Sequence, residues 1–296
     1  MSFLGLSKYF IPLSILLMVT SLVLMVTPGL NLSIEFTGGT LMEFQLPEGK
    51  TKEDLSMALR TSPMALTPSI SQTKTGTYFV RTQNLGNEDH IALFEHLQKS
   101  LGSELQELQF TTIGPTVGAS LKRRAVYALL LATVAIILYI ALAFRKVPRR
   151  LSPMRFGIIA VVALLHDILI TVGIFTLLGQ FTTFQVDTLF VTALLSIMGY
   201  SVNDTIVIFD RIRDNLHQHE NRTEDFALLA ERSLRQTMTR TINTGLGALI
   251  MLFALFFLGS ESIRWFILTL ILGTVIGTYS SFFIATPLLV YWKKKA

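Results

Sequence analysis

Residues 200–214 read Tyr200-Ser-Val-Asn-Asp-Thr-Ile-Val-Ile-Phe-Asp-Arg-Ile-Arg-Asp214. The stretch closes a long apolar run that begins near Gln185, so Asn203 and Asp204 lie within the body of that run. A lipid-facing carboxylate at bilayer depth costs at least ~2.5 kcal/mol even on the mildest scale. Asp204 must therefore be neutralised or face a protein-lined, hydrated path. Directly afterwards come Asp210, Arg211, Arg213 and Asp214, which belong to water and the headgroups. A membrane helix with an ionisable group in its body and a charged cluster at its end is the pattern of an ion-coupled machine.

Working outward, hydrophobic residues make up 51% of the chain and charged residues only 15%, which sets it apart from ordinary soluble domains. Six apolar runs, near 9–27, 125–144, 156–178, 185–209, 241–258 and 265–291, each approach the roughly 20 helical residues that cross a bilayer. The first is short enough to be a signal peptide. No A-x-A-type site follows it, and Val26-Thr-Pro-Gly29 is a poor substitute, so a retained helix is expected. The predicted organisation is a first membrane helix in 1–28 and an extracytoplasmic domain in 29–121. A five-helix membrane domain follows in 122–296, with a cytoplasmic loop at 210–239.

The net charge of +5 is not a nucleic-acid signal, because the cations flank the apolar runs and suit lipid headgroups. Arg145, Lys146, Arg149, Arg150 and Arg155 lie between runs two and three, and Arg211, Arg213, Arg222, Arg232, Arg235 and Arg240 between runs four and five. Lys293, Lys294 and Lys295 close the chain. The short turns between runs three and four and between runs five and six carry only Arg264, so the positive-inside rule places both termini in the cytoplasm. Lys122, Arg123 and Arg124 oppose that orientation, but long exported segments escape the rule. With no cysteine, disulfides and cysteine-ligated metals are excluded; the five histidines form no ligand pattern, so no cofactor or metal is expected. A phosphate-binding G-x-x-x-x-G-K-[ST] loop is missing, which argues against ATP as an energy source within this polypeptide.

The soluble piece reads β-α-β-β-α-β. Its first strand spans 33–46, open to a break at Gly38-Gly39. A helix at 52–60 has Thr51 as N-cap. Weak strands at 65–72 and 77–83 are joined by a turn at 74–76, and a helix at 88–101 has Asn87 as N-cap. A last strand fills 104–113 before Gly114-Pro115. In the second helix Ile91, Leu93 or Phe94, Leu97 and Leu101 share a face. This order is that of the ferredoxin-like split βαβ unit. Gly38 and Gly39 admit either a hinge or a plain β-bulge. The loop at 210–239 is expected to be helical over 224–237.

Within the membrane, Ser196, Gly199, Tyr200, Asn203 and Asp204 recur at helical spacing and form one polar face. Leu194, Ile197, Val202 and Ile206 occupy other faces. The third run carries Ala163, Asp167, Ile170 or Thr171 and Ile174, with His166 beside Asp167, and the fifth carries Thr241, Thr244, Gly245 and Ala248 below Arg240 and Asn243. Small and hydroxylated residues mark helix contacts in membranes, so the simplest assembly packs these stripes together with Asp204 near Arg240. Asp204 then reads as a protonation site; a hydrogen-bonded pair that fixes helix register is the alternative. For Asp167 the two readings weigh equally. Gly273-x-x-x-Gly277 signals close packing.

Three motifs carry a resemblance: Asn31-Leu-Ser-Ile-Glu-Phe-Thr-Gly-Gly-Thr40 with Glu35, Phe36, Gly38 and Gly39; Gly114-Pro-Thr-Val-Gly118; and 199–215 together with Thr239-Arg-Thr-Ile-Asn-Thr244. In order and spacing, from about residue 10 onward, the chain resembles the SecF members of the SecD/SecF family, within the resistance-nodulation-division superfamily. The resemblance implies six membrane helices and an outer domain after the first. It also implies residence in the bacterial inner membrane and a complex with SecD, the SecYEG channel and often YidC. No enzymatic activity is implied, only use of a proton or sodium gradient to assist translocating polypeptides. It puts the family's helix-four aspartate on Asp204 and its helix-five arginine on Arg240. Glu35 stands where the family often has Asp, and Gly245 where it usually has Ser. Half of a small-molecule exporter of the same superfamily, or a membrane scaffold without ion coupling, are the competing functions.

Overall fold

The computed structural model describes residues 2–64, 66, 68–73, 76–145, 153–218 and 225–294. Among the sequence expectations, Lys74 of the 74–76 turn, Ala65 at the start of a strand, and Lys146, Arg149, Arg150, Arg222, Glu224 and Lys295 lie outside these residues.

The chain is a polytopic helical membrane protein with a small α+β domain. Among the described residues, six helical stretches are long and apolar enough to cross a membrane. They comprise α1 (Phe3–Val26), α5 (Pro115–Ala143), α6 (Pro153–Phe181), α7 (Thr188–Gln218) and α8 (Phe226–Leu258). The sixth runs through α9 (Arg264–Ser280), a π-helical turn (Ser281–Ala285) and α10 (Thr286–Lys294). The described residues of 210–239 are helical on both sides, because α7 continues to Gln218 and α8 begins at Phe226. Between α1 and α5 come α2 (Ile34–Thr37), β1 (Gly39–Gln45), α3 (Lys52–Arg60), β2 (Ser69–Gln72), β3 (Tyr78–Thr82), α4 (Asn87–Leu101) and β4 (Gln106–Ile113).

The chain divides into two compact units, one of Leu32–Val126 with Gln185–Thr188, the other of the remaining helical segments. In the first, the strands form one antiparallel sheet ordered β2-β3-β1-β4. β3 separates β1 from β2, and β1 separates β3 from β4, so two split βαβ units interleave as expected. Met42 and Phe44 of β1, Val80 of β3, Leu55 and Leu59 of α3, and Leu93 and Leu97 of α4 make the core. Leu101 joins Leu93 and Leu97 on the buried face of α4, whereas Ile91 is exposed, so it does not belong to that face. Thr51 caps α3 in a full capping box with Asp54. The cap of α4 falls on Gly86 instead of Asn87, which is the first helical residue.

The first strand is shorter than expected. Ser33 accepts a bond from Glu35 N–H, Thr37 Oγ1 donates to Ser33 O at 3.1 Å, and residues 34–37 close a helical turn. Gly38 (φ 75°) and Gly39 (φ 129°) then redirect the chain into β1. Both sites lie in the region that glycine favours. A Cβ on Gly38 would fall 2.9 Å from Pro115 Cα, and one on Gly39 would fall 2.7 Å from Thr82 O. The irregularity in this pairing lies elsewhere: Glu43 and Phe44 of β1 face Gln109 and Glu107, so Leu108 of β4 is the extra residue, and the β-bulge reading of the two glycines does not hold.

In the helical unit, α1 leaves many of its apolar side chains exposed, packs Phe3 and Phe10 against rings of the last helical stretch, and buries Ser7, Ser14 and Ser21, which recur every seventh residue. Each serine meets a different helix. Ser21 lies so near Gly173 of α6 that a Cβ there would sit 2.3 Å from its Cβ. Ser14 Oγ bonds the Tyr279 hydroxyl of α9 at 2.7 Å, and Ser7 Oγ lies 3.3 Å from the Tyr291 hydroxyl of α10. Small side chains permit this approach in a setting where apolar surface alone does not drive helices together. Glu231 of α8 completes the anchoring, accepting from Phe3 N, Leu4 N and Ser2 Oγ at 3.1–3.2 Å. Those donors are the orphans of a helix start, so a carboxylate is well matched to them.

Candidate ion-coupling site

Asp204 sits on α7 and is 2% exposed. Among the described residues its carboxylate has one hydrogen-bond partner, Thr278 of α9, whose Oγ1 donates to Oδ2 at 3.2 Å. The Tyr200 hydroxyl, one turn earlier on α7, lies where α8 comes close: a Cβ on Gly245 would be 3.0 Å from that oxygen and 3.6 Å from Thr278 Oγ1. Three helices thus converge on Asp204, and the narrow point between them is Gly245. A larger residue there would push α8 away from Tyr200 and Thr278.

A second carboxylate is set deeper. Asp167 of α6 is fully buried. Its Oδ1 pairs with Nδ1 of the adjacent His166 at 2.8 Å. Its Oδ2 accepts from Ser280 Oγ of α9 at 2.8 Å and from Ser201 Oγ of α7. Next to it Thr205 Oγ1 meets Ser281 Oγ at 2.9 Å, where α9 widens into the π turn. Such turns recur at functional sites because they re-aim side chains within a helix. One pair of helices, α7 and α9, therefore serves both acids. Ser201 and Ser280 bond Asp167, and Thr278 bonds Asp204.

The close contact of α7 with α9 comes from the glycine motif. A Cβ on Gly273 would fall 2.1 Å from Ile197 Cδ1, and one on Gly277 would lie 3.0 Å from Ser201 Cβ. That contact selects which side of α7 faces inward. Leu194, Ile197, Ser201 and Val202 are buried, whereas Ser196, Gly199 and Asn203 are exposed. The expected packing of three polar stripes is therefore realised only in part. The α6 stripe is buried from Ala163 to Thr171 and half-buried at Ile174, α8 buries Thr241 and Gly245 but leaves Asn243 and Thr244 exposed, and most of the α7 polar face is uncovered.

Arg240 is not beside Asp204. It is exposed on α8 and makes no bond to that carboxylate. The inward side of α8 is Ser233, Leu234, Thr237, Thr241 and Gly245, and residue 240 projects away from that line. Asp210, at the end of the apolar run, pairs with Arg213 at 2.5 Å on the same helix. The hydroxyl donors Ser201, Thr278 and Ser280 escaped sequence reasoning. The signal was present as Thr278-Tyr-Ser-Ser281, four consecutive polar residues inside an apolar run. Glu35, Gly38, Gly39, Gly114 and Pro115 gather in the other unit, where Gly118 of α5 approaches so closely that a Cβ would be 2.8 Å from Gly38 N. Phe36 is buried on α2.

Comparison with known proteins places this geometry in a lineage. The family described as protein export membrane protein SecD/SecF, C-terminal, matches residues 93–295, and the SecD/SecF GG motif matches residues 23–46. A protein translocase subunit SecF of Thermobaculum terrenum is 40% identical over 96% of this chain and 91% of its own length. One from Anaerolinea thermophila is 34% identical over 99% and 94%. The crystal structure of SecDF from Thermus thermophilus, described as a translocon-associated membrane protein, superposes with a TM-score of 0.85 at 33% identity over 99% of this chain. SecDF in a super-membrane-facing form gives 0.70 at 32% identity. This chain spans 39% of the length of each of those SecDF chains. The shared helices, the GG motif and the near-complete coverage establish that the chain belongs to the SecD/SecF family of protein-export membrane proteins.

Proposed function

We propose that this chain is a non-enzymatic SecF-type subunit that couples ion flow, of protons in the simplest case, to late translocation of a polypeptide across the bacterial inner membrane. The observation that carries the reading is Asp204: a carboxylate buried in a membrane-spanning helix with, among the described residues, a single neutral hydroxyl donor. An intramembrane acid with so little compensation exchanges its proton when water or a cation reaches it, and that exchange biases a two-state equilibrium. Asn203, exposed beside it, is in this reading a polar neighbour of the coupling acid. Arg240, exposed here, acts in this reading as the cation that approaches Asp204 in another state of the cycle. Asp167, held by two serine donors and paired with His166, serves as a second and tighter proton position.

The partner is SecD, with SecYEG and YidC as further members of the assembly. Its docking face is the polar side of α7. Ser196, Gly199 and Asn203 on a spanning helix are unfavourable against lipid and suit helices of another chain. Both termini face the cytoplasm, and the domain of residues 29–121 lies outside, where it meets the emerging chain and swings at Gly38-Gly39 and Gly114-Pro115.

The test is export of a secretory precursor into inverted vesicles carrying this chain with SecD, with and without a proton gradient. Asp204→Asn at equal abundance is expected to lose the gradient-dependent part. A full gradient response in that variant would make Asp204 a packing residue.

A further inference from the structure

Glu35 stands on α2, three residues before Gly38, and is half-buried. Its Oε2 accepts from the backbone N–H of Thr188 at 2.8 Å and from Thr188 Oγ1 at 2.7 Å. Thr188 is the first residue of α7. A carboxylate more than 150 positions away in sequence therefore does the work of an N-cap, satisfying a first-turn donor and placing negative charge at the positive end of the helix. Backbone bonds support it on the same side. Ser33 N donates to Val186 O at 3.0 Å, and Leu32 forms a parallel bridge with Val186. Residues 32–35 and 186–188 are thus fastened to each other before the chain turns at the two glycines into β1.

We propose that Glu35 is a positioning residue for ion coupling: a carboxylate clamp that fixes the first turn of α7 to the segment leading into β1 and stays closed through the cycle. The proposal rests on Asp204 being the coupling site. α7 runs unbroken from Thr188 past Asp204. At 1.5 Å per residue the two are about 24 Å apart along the axis. A helix of that length transmits an axial displacement or rotation of its first turn to Asp204, provided the first turn is held by something other than itself. Glu35 supplies that hold. Movement of the sheet then falls on Gly38 and Gly39, beyond the clamp, where φ is already positive. Without Glu35 the first turn of α7 loses its two bonds to residue 35, and part of the same displacement would be absorbed there before it reached Asp204.

The chain has no cysteine, which permits a reversible test. Glu35→Cys with Thr188→Cys is assayed in the inverted vesicles with SecD, before treatment, after a short cleavable dithiol-reactive cross-linker, and after its cleavage. The open pair is expected to lose at least threefold of the gradient-dependent export, to regain at least half when linked, and to lose it again on cleavage. Gradient-independent export stays constant throughout, which a general folding defect would not allow. A full gradient response in the open pair overturns the proposal. So does failure of the link to restore the response, and a further loss on linking would mean that the contact must open. Should the pair not accumulate, Glu35→Gln at equal abundance decides, with an unchanged gradient response counting against the clamp. Asp204→Asn in the same vesicles separates the two claims: a full response there removes the coupling site, whereas loss there with an unaffected Glu35 variant removes only the clamp.

Discussion

Ser280 of α9 donates its hydroxyl to Oδ2 of Asp167 on α6 at 2.8 Å, in a place closed to solvent on every side. Ser201 of α7 donates to the same oxygen, so one carboxylate oxygen joins three helices. Among the described residues the Asp204 carboxylate has Thr278 as its one partner and makes no comparable junction. The two buried acids therefore differ in what they hold together, although both look alike as intramembrane aspartates in the sequence.

Stability should separate them. Deleting one donor to a buried carboxylate costs about 1–3 kcal/mol. Ser280→Ala and Ser201→Ala are each expected to lower the apparent Tm of the detergent-solubilised protein, and the double variant to lower it by less than the sum, since both serve one oxygen. Thr278→Ala, whose longer bond joins two helices and not three, is expected to lower Tm by less than either serine variant. Equal losses for all three would show that the Asp204 contact is as structural as the Asp167 junction.

Gly273 admits no side chain, because Ile197 occupies the place where a Cβ would be. Gly273→Ala is expected to part α9 from α7 and destabilise by about 1–3 kcal/mol through overpacking. Ile197→Ala alone leaves a cavity and costs about 2–5 kcal/mol. Combined, the two should cost clearly less than their sum, as the added methyl enters the vacated space. Thermal unfolding of the four proteins measures this cycle, and strict additivity would mean that the two residues do not meet.

The glycines of the two soluble-domain motifs should not behave alike. Gly39 combines positive φ with a neighbouring carbonyl 2.7 Å from any Cβ. Gly114 has neither constraint, with nothing within 4 Å of its Cβ position. Gly39→Ala is expected to displace β1 from β3 and to raise amide exchange across that pair at least tenfold, whereas Gly114→Ala leaves exchange as it is. Similar exchange in both variants would overturn the steric account.

Much of this architecture is written in local patterns. Apolar run lengths announce six spanning helices, and the period-two and helical patterns of 33–113 announce the interleaved domain. Signals of this kind are local, because they depend on residues within one or two turns of each other. Residues 34–37 form a helical turn, not the start of the first strand, for the same reason. The apolar residues of 33–37 suit either a strand or a turn, and the Ser33 cap with the Gly38 stop decided for the helix. The polar face of α7 was correctly outlined, yet its direction was not. Both orientations are consistent with the sequence until Gly273 and Gly277 bring α9 against Ile197 and Ser201.

Composition, run length and the placement of an acid inside an apolar segment were thus enough to define a membrane protein with an ion-coupling candidate at Asp204. Only the tertiary structure decided that Asp167 is the junction of three helices, that Arg240 points away, and that Glu35 caps the helix on which Asp204 lies. The physical reason is that each of these depends on which helix faces come into contact. Side-chain hydroxyls and carboxylates carry no distant address in sequence, and their partners are chosen when small residues let particular helices approach.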